Sequence, residues 1–113
     1  MTANTAKRVR RSVPIHSRGK IAESLEAAAD RIDTNGWMRG EYGDMHKNGE
    51  GPACALGHLH AATPPVDYFD ARLALRLTVG VSSIPDWNDS QRDRRKVQRA
   101  MRRAARYLRG ENR

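Results

Sequence analysis

The strongest constraint on the fold is an amphipathic pattern near the carboxyl-terminal end of the sequence. At about 100° per residue, a helix over residues 92–109 gathers six arginines on one side: Arg92, Arg95, Arg99, Arg102, Arg106 and Arg109. Its opposite side carries Val97, Met101, Ala104 and Leu108, flanked by Ala100 and Ala105. We therefore expect this helix to dock its apolar side on the body of the chain, with the arginines facing outward.

Composition limits the rest of the fold. A chain of 113 residues has room for one domain, and its 38% hydrophobic content with few aromatic residues predicts a core of Leu, Ile, Val and Ala. We find no apolar run long enough for a membrane span and no signal peptide. The single Cys54 excludes an intrachain disulfide and favours a reducing compartment. The excess of Arg over Lys favours a high-GC bacterial or phage genome, so we expect a cytoplasmic location in a bacterial host.

Apolar spacing predicts a mainly α, compact four-helix domain. The four helices are expected at residues 17–34, 52–62, 64–79 and 88–109, and Gly80 is expected to end the third of them. Residues 1–16 are expected to be a disordered basic arm, residues 17–110 the domain, and residues 111–113 a tail. Between the first two helices, the turn signal Asn48-Gly49 predicts a short β-hairpin at about 37–53, with an irregular loop as the alternative.

Two helices in this scheme depend on specific local signals. In the third helix, Val66, Phe69, Leu73 and Leu77 form the stripe expected to face the core, and Ala74 widens it. At the start of the fourth, Asn88, Asp89 or Ser90 is expected to be the N-cap, with Trp87 as the hydrophobic staple and Ser90 with Asp93 approximating a capping box.

Charge is distributed unevenly along the sequence. Residues 1–20 carry six basic side chains and no acidic one, residues 21–91 carry five basic and eleven acidic ones, and residues 92–113 carry ten basic and two acidic ones. The net charges of these segments are +6, −6 and +8. The acidic body therefore lies between two basic ends, and the first of these includes Arg8, Arg10 and Arg11.

Three interpretations of the arginine stripe remain open. Like charges at these spacings repel by a few tenths of a kcal/mol per pair, whereas a polyanion gains from guanidinium contacts and counterion release. The stripe could instead be a solvated face, or could dock on acidic residues of its own body or of a second copy. Tyr107 is the only aromatic residue on this helix, so we expect any nucleic-acid contact to be largely non-specific.

Cys54 and His58 invite a catalytic hypothesis. A thiol in the first turn of a helix has a lowered pKa. With His58 four residues later and Asn88 in a distant segment, the sequence contains the residue types of a Cys–His–Asn catalytic set. A histidine on the nucleophile's own helix is poorly placed to accept its proton, so a small buried cysteine is the preferred interpretation. A zinc site would need Cys54 and His58 with Asp44, His46 or His60, and we expect no metal and no cofactor.

Three short motifs carry a resemblance to a known family: Asn35-Gly36-Trp37, then Cys54-Ala55-Leu56-Gly57, then Ile84-Pro85-Asp86-Trp87-Asn88-Asp89. In this order, over about residues 20–108, the chain resembles a family of small uncharacterised proteins of actinobacteria and their bacteriophages. It departs from that family in its basic residues 1–19 and in the arginine content of its last helix. The resemblance implies that the Cys54 segment and the Trp87-Asn88-Asp89 turn pack together as a structural centre or line a small site.

The sequence thus favours a small non-enzymatic binding protein, phage-encoded, that contacts nucleic acid through the last helix and the basic arm. The first alternative is a factor that binds an acidic host protein, or a second copy of itself as a homodimer, through the same face. A lesser alternative is a hydrolase that depends on Cys54. No membrane partner is expected.

Overall fold

A computed structural model describes residues 3–40 and 51–111 of the chain. In these residues the chain forms six α-helices and one short 3₁₀ helix, Ile15–Ser17. The α-helices are α1 (Ala3–Arg11), α2 (Arg18–Asn35), α3 (Ala55–Ala62), α4 (Pro65–Val79), α5 (Ile84–Ser90) and α6 (Arg94–Leu108). The mainly α single domain is therefore confirmed, and its radius of gyration of 12.9 Å is that of a compact domain of about 100 residues. The expected number of four helices is too low, because α1 and α5 were not predicted.

Helix α1 replaces the disordered basic arm that we expected at residues 1–16. Ala6, Val9 and Val13 are at most 1% exposed and belong to the core, where α1 packs against α4 and α6. Ala6 and Val9 lie three residues apart on one side of α1, and Val13 follows two residues after its end. These apolar residues are small, and the four cations among them hid the pattern in the sequence.

Helices α2 and α6 form the main packing unit of the core. The expected apolar side of α6 is buried in full, and it meets the buried side of α2, which includes Ile21, Leu25 and Ile32. The Gln98 side chain is also buried and donates a hydrogen bond to the Ala29 carbonyl oxygen across this interface, at 3.0 Å. The two helices run antiparallel, since Asp33 near the end of α2 lies beside Arg94 at the start of α6.

Helix α4 is rotated relative to our expectation. Val66 is 81% exposed and Phe69 is 69% exposed, so the first half of the predicted core stripe faces outward. Ala74 is buried as expected, but the other buried residues of the helix are Asp67, Ala71, Leu75 and Thr78. Small side chains on that side let α1 and α6 approach α4 closely, and the Asp67 carboxylate lies 3.3 Å from Lys20 Nζ. Gly80 ends α4 in the left-handed conformation, as predicted.

The connections on either side of α3 and α5 also differ from expectation. Most of the predicted hairpin, residues 41–50, lies outside the described residues. Its two described ends meet in one isolated parallel bridge between Trp37 and Ala53, whereas the strands of a hairpin would pair antiparallel. Helix α3 begins at Ala55, with Cys54 at the N-cap position.

Trp87, Asn88 and Asp89 are not the cap of the last helix. They lie inside α5, whose own N-cap is Ser83, and the Asp93 side chain caps α6 by accepting a hydrogen bond from the Arg95 N–H at 2.8 Å. Ile84-Pro85 places a proline in the first turn of α5, where its missing N–H costs nothing. None of the helices described here is long and apolar enough to cross a membrane.

Candidate functional site

Asn88 lies at the centre of a fully paired polar cluster. The residue is completely buried, and its Oδ1 accepts hydrogen bonds from Trp37 Nε1 at 2.7 Å and from the Ala55 N–H at 3.0 Å. Its Nδ2 donates to the Met38 carbonyl oxygen at 3.1 Å and to Asp89 Oδ1 at 3.2 Å. We call these five residues the Asn88 cluster. One amide thus joins α5 to the start of α3 and to the segment after α2.

Asp89 extends the cluster to the end of the first described stretch. Its Oδ1 accepts a hydrogen bond from the Gly40 N–H at 2.7 Å. This backbone bond, together with the Asn88 amide and the charge of Arg39, holds the pKa of Asp89 below its ordinary value. The expectation that the Cys54 segment and the Trp87-Asn88-Asp89 segment pack together is confirmed by the bond from Asn88 to Ala55.

His58 and Cys54 lie next to this cluster and are both buried. The His58 Nε2–H donates to the Gly36 carbonyl oxygen at 2.6 Å, and burial lowers the pKa of the imidazole. Within the described residues, His58 Nδ1 has no hydrogen-bond partner. The His58 side chain therefore bonds to Gly36, and the Asn88 side chain bonds within the Asn88 cluster. In the described stretches no hydrogen bond connects either side chain to the Cys54 thiol.

The metal-site hypothesis can be examined only in part. Over residues 3–40 and 51–111 there is no group of three or more His, Cys, Asp and Glu side chains that could hold a metal ion. Asp44 and His46 lie outside the described residues. His60 is exposed, and its ring packs edge-on against Tyr68 with the ring centroids 5.0 Å apart.

The basic side of α6 is wider than the predicted arginine stripe, because Arg94, Lys96 and Arg103 extend it. Its two edges have different surroundings. On the edge that faces α2, Arg94 lies 3.9 Å from Asp33, Arg102 lies 3.1 Å from Asp30, and Arg109 lies 2.7 Å from Glu26. We call Arg94, Arg102 and Arg109 the paired edge. Glu26 raises the pKa of Arg109 by accepting its hydrogen bond. These arginines dock on the chain's own acidic residues, which is one of the three interpretations that the sequence left open.

The opposite edge of α6 borders a groove between α4, α5 and α6. Its cations are Lys96, Arg99 and Arg103, which we call the groove edge. The groove has a volume of about 320 Å³, and its other lining residues are Thr78, Val79, Trp87, Gln91 and Ala100. No carboxylate is among these lining residues, and in the described part of the chain no acidic group lies within ion-pair distance of the groove edge.

The carboxylate of Asp93 attracts Arg99 of the groove edge, but it is hydrogen-bonded to Arg95. Asp93 accepts hydrogen bonds from the Arg95 N–H and from the Arg95 side chain, the latter at 3.1 Å. These bonds, with the charges of Arg95 and Arg99, lower the pKa of Asp93. Asp93 thus stays ionised, caps α6 and pairs with Arg95. Arg95 and Arg106 lie between the two edges of α6.

The other predicted binding residues are dispersed. Arg92 is exposed between α5 and α6, and Arg8 and Arg11 are exposed on α1. Arg10 is half-buried, and its Nη1 lies against Gly110 at the end of α6, where helix carbonyl groups favour a cation. The sequence did not indicate Lys96 or Arg103 as site residues, and it did not connect Trp87 with the basic side of the last helix. Lys96 and Arg103 lie on α6 just beyond the side that carries the six predicted arginines. The groove beside them forms only because α4 and α5 pack next to this part of α6.

The fold and the site together define a small all-α domain with a basic groove beside a buried asparagine cluster. The chain belongs to the family of unknown function DUF6197, whose model matches residues 16–107. The match runs from the 3₁₀ helix to the last turn of α6, and α1 precedes it. No curated protein and no solved structure matches the chain.

Proposed function

We propose that the protein is a non-enzymatic binding protein whose groove edge contacts a polyanion, with nucleic acid as the partner and largely non-specific recognition. Exposed cations near this edge, Arg92 and Arg95, would add phosphate contacts, as would Arg8 and Arg11 on α1. The bias toward arginine and the family resemblance support a phage-encoded protein of an actinobacterial host. The reduced Cys54 that this proposal assumes fits a bacterial cytoplasm.

One observation carries the proposal, namely the difference in pairing between the two edges of α6. Each arginine of the paired edge has a carboxylate on α2 within 4 Å. Lys96, Arg99 and Arg103 lie three and four residues apart, so their charges repel one another along the helix. Among the described residues no carboxylate lies within ion-pair distance of these cations, and Asp93, which attracts Arg99, is hydrogen-bonded to Arg95. A phosphate chain would offset the repulsion while releasing its own counterions.

A salt titration tests the proposal directly. Fluorescence anisotropy with a labelled oligonucleotide should show binding at low salt that weakens to a micromolar or weaker dissociation constant at physiological salt. Three phosphate contacts on a single strand predict a slope of about −2 for log K against log salt concentration. The triple variant K96Q/R99Q/R103Q should lose most of the binding and most of the slope. Absence of any binding by the wild-type protein at low salt would contradict the proposal.

A second candidate function is a contact with an acidic, amphipathic segment of another protein. It is favoured by the outward side of α4, where the exposed Val66 and Phe69 lie beside a cavity of about 240 Å³ lined by Phe69, Arg72, Leu73, Arg76 and Ser82. An apolar patch with two guanidinium groups is complementary to apolar residues flanked by carboxylates.

The same apparatus separates the two candidates. A labelled peptide that alternates Glu and Leu should bind the wild-type protein, and the variant F69S should weaken that binding while leaving the oligonucleotide titration unchanged. Sedimentation across a range of protein concentrations distinguishes a second copy, because a dimer that F69S dissociates would mean that this side of α4 binds another copy of the chain.

A further inference from the structure

The indole of Trp87 lies at the wall of the groove and between two cavities. One is the groove of about 320 Å³ that the three cations border. The other has a volume of about 260 Å³ and is lined by Val81, Ser82, Ser83, Asp86, Trp87 and Ser90. Trp87 is half-buried and packs against the core, so its ring is accessible without being loose.

The backbone around Trp87 is fixed on both sides. Its carbonyl oxygen accepts hydrogen bonds from Ser90 Oγ at 2.7 Å and from Gln91 Nε2 at 3.0 Å. The next residue is Asn88, whose side-chain amide makes the four hydrogen bonds of the Asn88 cluster. A ring held in this way loses little conformational freedom when a flat ligand packs on it.

Within residues 3–40 and 51–111, no other aromatic side chain on or beside α6 is available for stacking. Tyr107 is the aromatic residue of the helix itself, and it is 1% exposed in the core. Trp37 donates its indole N–H to Asn88 and packs in the cluster. Trp87 is therefore the aromatic group that shares a cavity with the groove edge.

We infer that the groove takes one unpaired nucleotide, with its base on the Trp87 indole and its flanking phosphates on Lys96, Arg99 and Arg103. The partner is then a single strand rather than a duplex. This inference rests on the proposed function and narrows its partner. The volume of the groove lies at the lower end of the range for small-molecule sites, which suits one nucleotide.

The chemistry of the groove matches that of known single-strand sites in its two components. Such sites combine cations that follow the backbone with aromatic rings on which bases stack, and every base presents a flat face, so the contact tolerates any sequence. The apolar groups Val79 and Ala100 in the groove provide contact for a base, while the cations lie on the exposed side of α6. Duplex bases are already stacked on one another and cannot reach the indole.

The test compares three polyanionic probes on the full chain, and the duplex among them carries about twice as many phosphates as the single strand. These are a single-stranded thymidine oligonucleotide of about 12 nucleotides, the corresponding duplex, and inorganic polyphosphate, which has no bases. We expect the single strand to bind about tenfold more tightly than either of the other probes and to quench tryptophan fluorescence. The variant W87L, which keeps an apolar side chain, should lower single-strand affinity about tenfold and leave polyphosphate binding unchanged. The control is F69L, which removes an exposed aromatic ring far along α4 and should change neither.

The outcomes separate this inference from the proposal beneath it. Equal affinity for all three probes, with loss of binding in K96Q/R99Q/R103Q only, would overturn the inference and leave the polyanion proposal standing. No binding of any probe at low salt would overturn both. Circular dichroism shows whether W87L folds. If W87L does not fold, the relative affinities of the wild-type protein for the three probes test the inference.

Discussion

Trp87 and Asn88 are consecutive residues of α5, but the side chain of Asn88 is buried in a polar cluster whereas that of Trp87 borders the groove. Asn88 is fully buried, and its amide oxygen and nitrogen make four hydrogen bonds. Trp87 borders a groove in which three cations have no acidic partner among the described residues. A saturated buried amide stabilises one arrangement of the chain, whereas unpaired cations beside an accessible ring gain from a ligand. The comparison separates the residues that build this domain from those that we propose act in binding.

The largest expected effect is that of N88A on stability. The substitution leaves the Ala55 N–H, the Trp37 indole N–H and the Met38 carbonyl oxygen without their partner, and each buried group left unpaired costs about 1–3 kcal/mol. Since Trp37 and Met38 are only partly buried, we expect a loss of about 3 kcal/mol in the free energy of unfolding, measured by urea denaturation. The exposed neighbour variant S90A is the control. A loss below about 1 kcal/mol would remove the distinction between the two residues of α5.

A smaller effect concerns His58, which packs beside the Asn88 cluster. Burial lowers its pKa below the ordinary value of 6.5, so the unfolded chain binds a proton at higher pH than the folded chain does. The stabilising contribution is therefore present above pH 6.5 and is lost as the pH falls from 6.5 toward the lowered pKa. Urea denaturation at several pH values should show this decline in the wild-type protein and a flatter profile in H58Q. The exposed His16 supplies the control H16Q, and an unchanged slope in H58Q would contradict the assignment.

The paired edge of α6 should contribute still less to stability. Arg102 and Asp30 are 40% and 73% exposed, so solvent and salt screen their attraction. We expect R102Q to lower the free energy of unfolding by less than about 0.5 kcal/mol at low salt, with no difference from wild type at high salt. A loss above about 1 kcal/mol would mean that the paired edge stabilises the fold as the Asn88 cluster does.

The smallest expected effect is that of F69S on stability. Phe69 is 69% exposed on α4, so its replacement should change the free energy of unfolding by no more than about 0.5 kcal/mol. Thermal unfolding measures this, with L75A as the comparison, because Leu75 is fully buried on the other side of the same helix. A large loss in F69S would mean that this side of α4 is covered in the folded protein.

The sequence predicted those elements whose pattern is strong and whose ends carry clear signals. The apolar side of α6 was predicted residue by residue, and the bounds of α2 and α4 lie within one residue of the expected ones, with Gly80 in the predicted role. Helix α1 escaped prediction because its buried side is marked only by the small residues Ala6 and Val9. The stripe of α4 was wrong at Val66 and Phe69, because the chain buries Ala71 and Thr78, which allow closer packing.

The candidate site shows a different limit. The sequence indicated a basic face on α6, but not that Asp30, Asp33 and Glu26 lie beside one edge of it. That arrangement depends on the antiparallel packing of α2 against α6, and the spacing of residues within one helix does not predict how two helices pack. Trp87 was interpreted as a staple because Asn and Asp follow it, and only the observed cap at Asp93 leaves α5 as a separate helix with an accessible indole.

The division of α6 into two edges is tested most directly by two variants of equal charge. K96Q/R99Q/R103Q and R94Q/R102Q/R109Q each remove three positive charges from the same helix, so any effect of net charge alone is identical in the two. We predict that the first loses most of its affinity for a single-stranded oligonucleotide at low salt, and that the second keeps wild-type affinity to within about threefold. Equal losses in both would contradict the account, because binding would then follow total charge and not the groove.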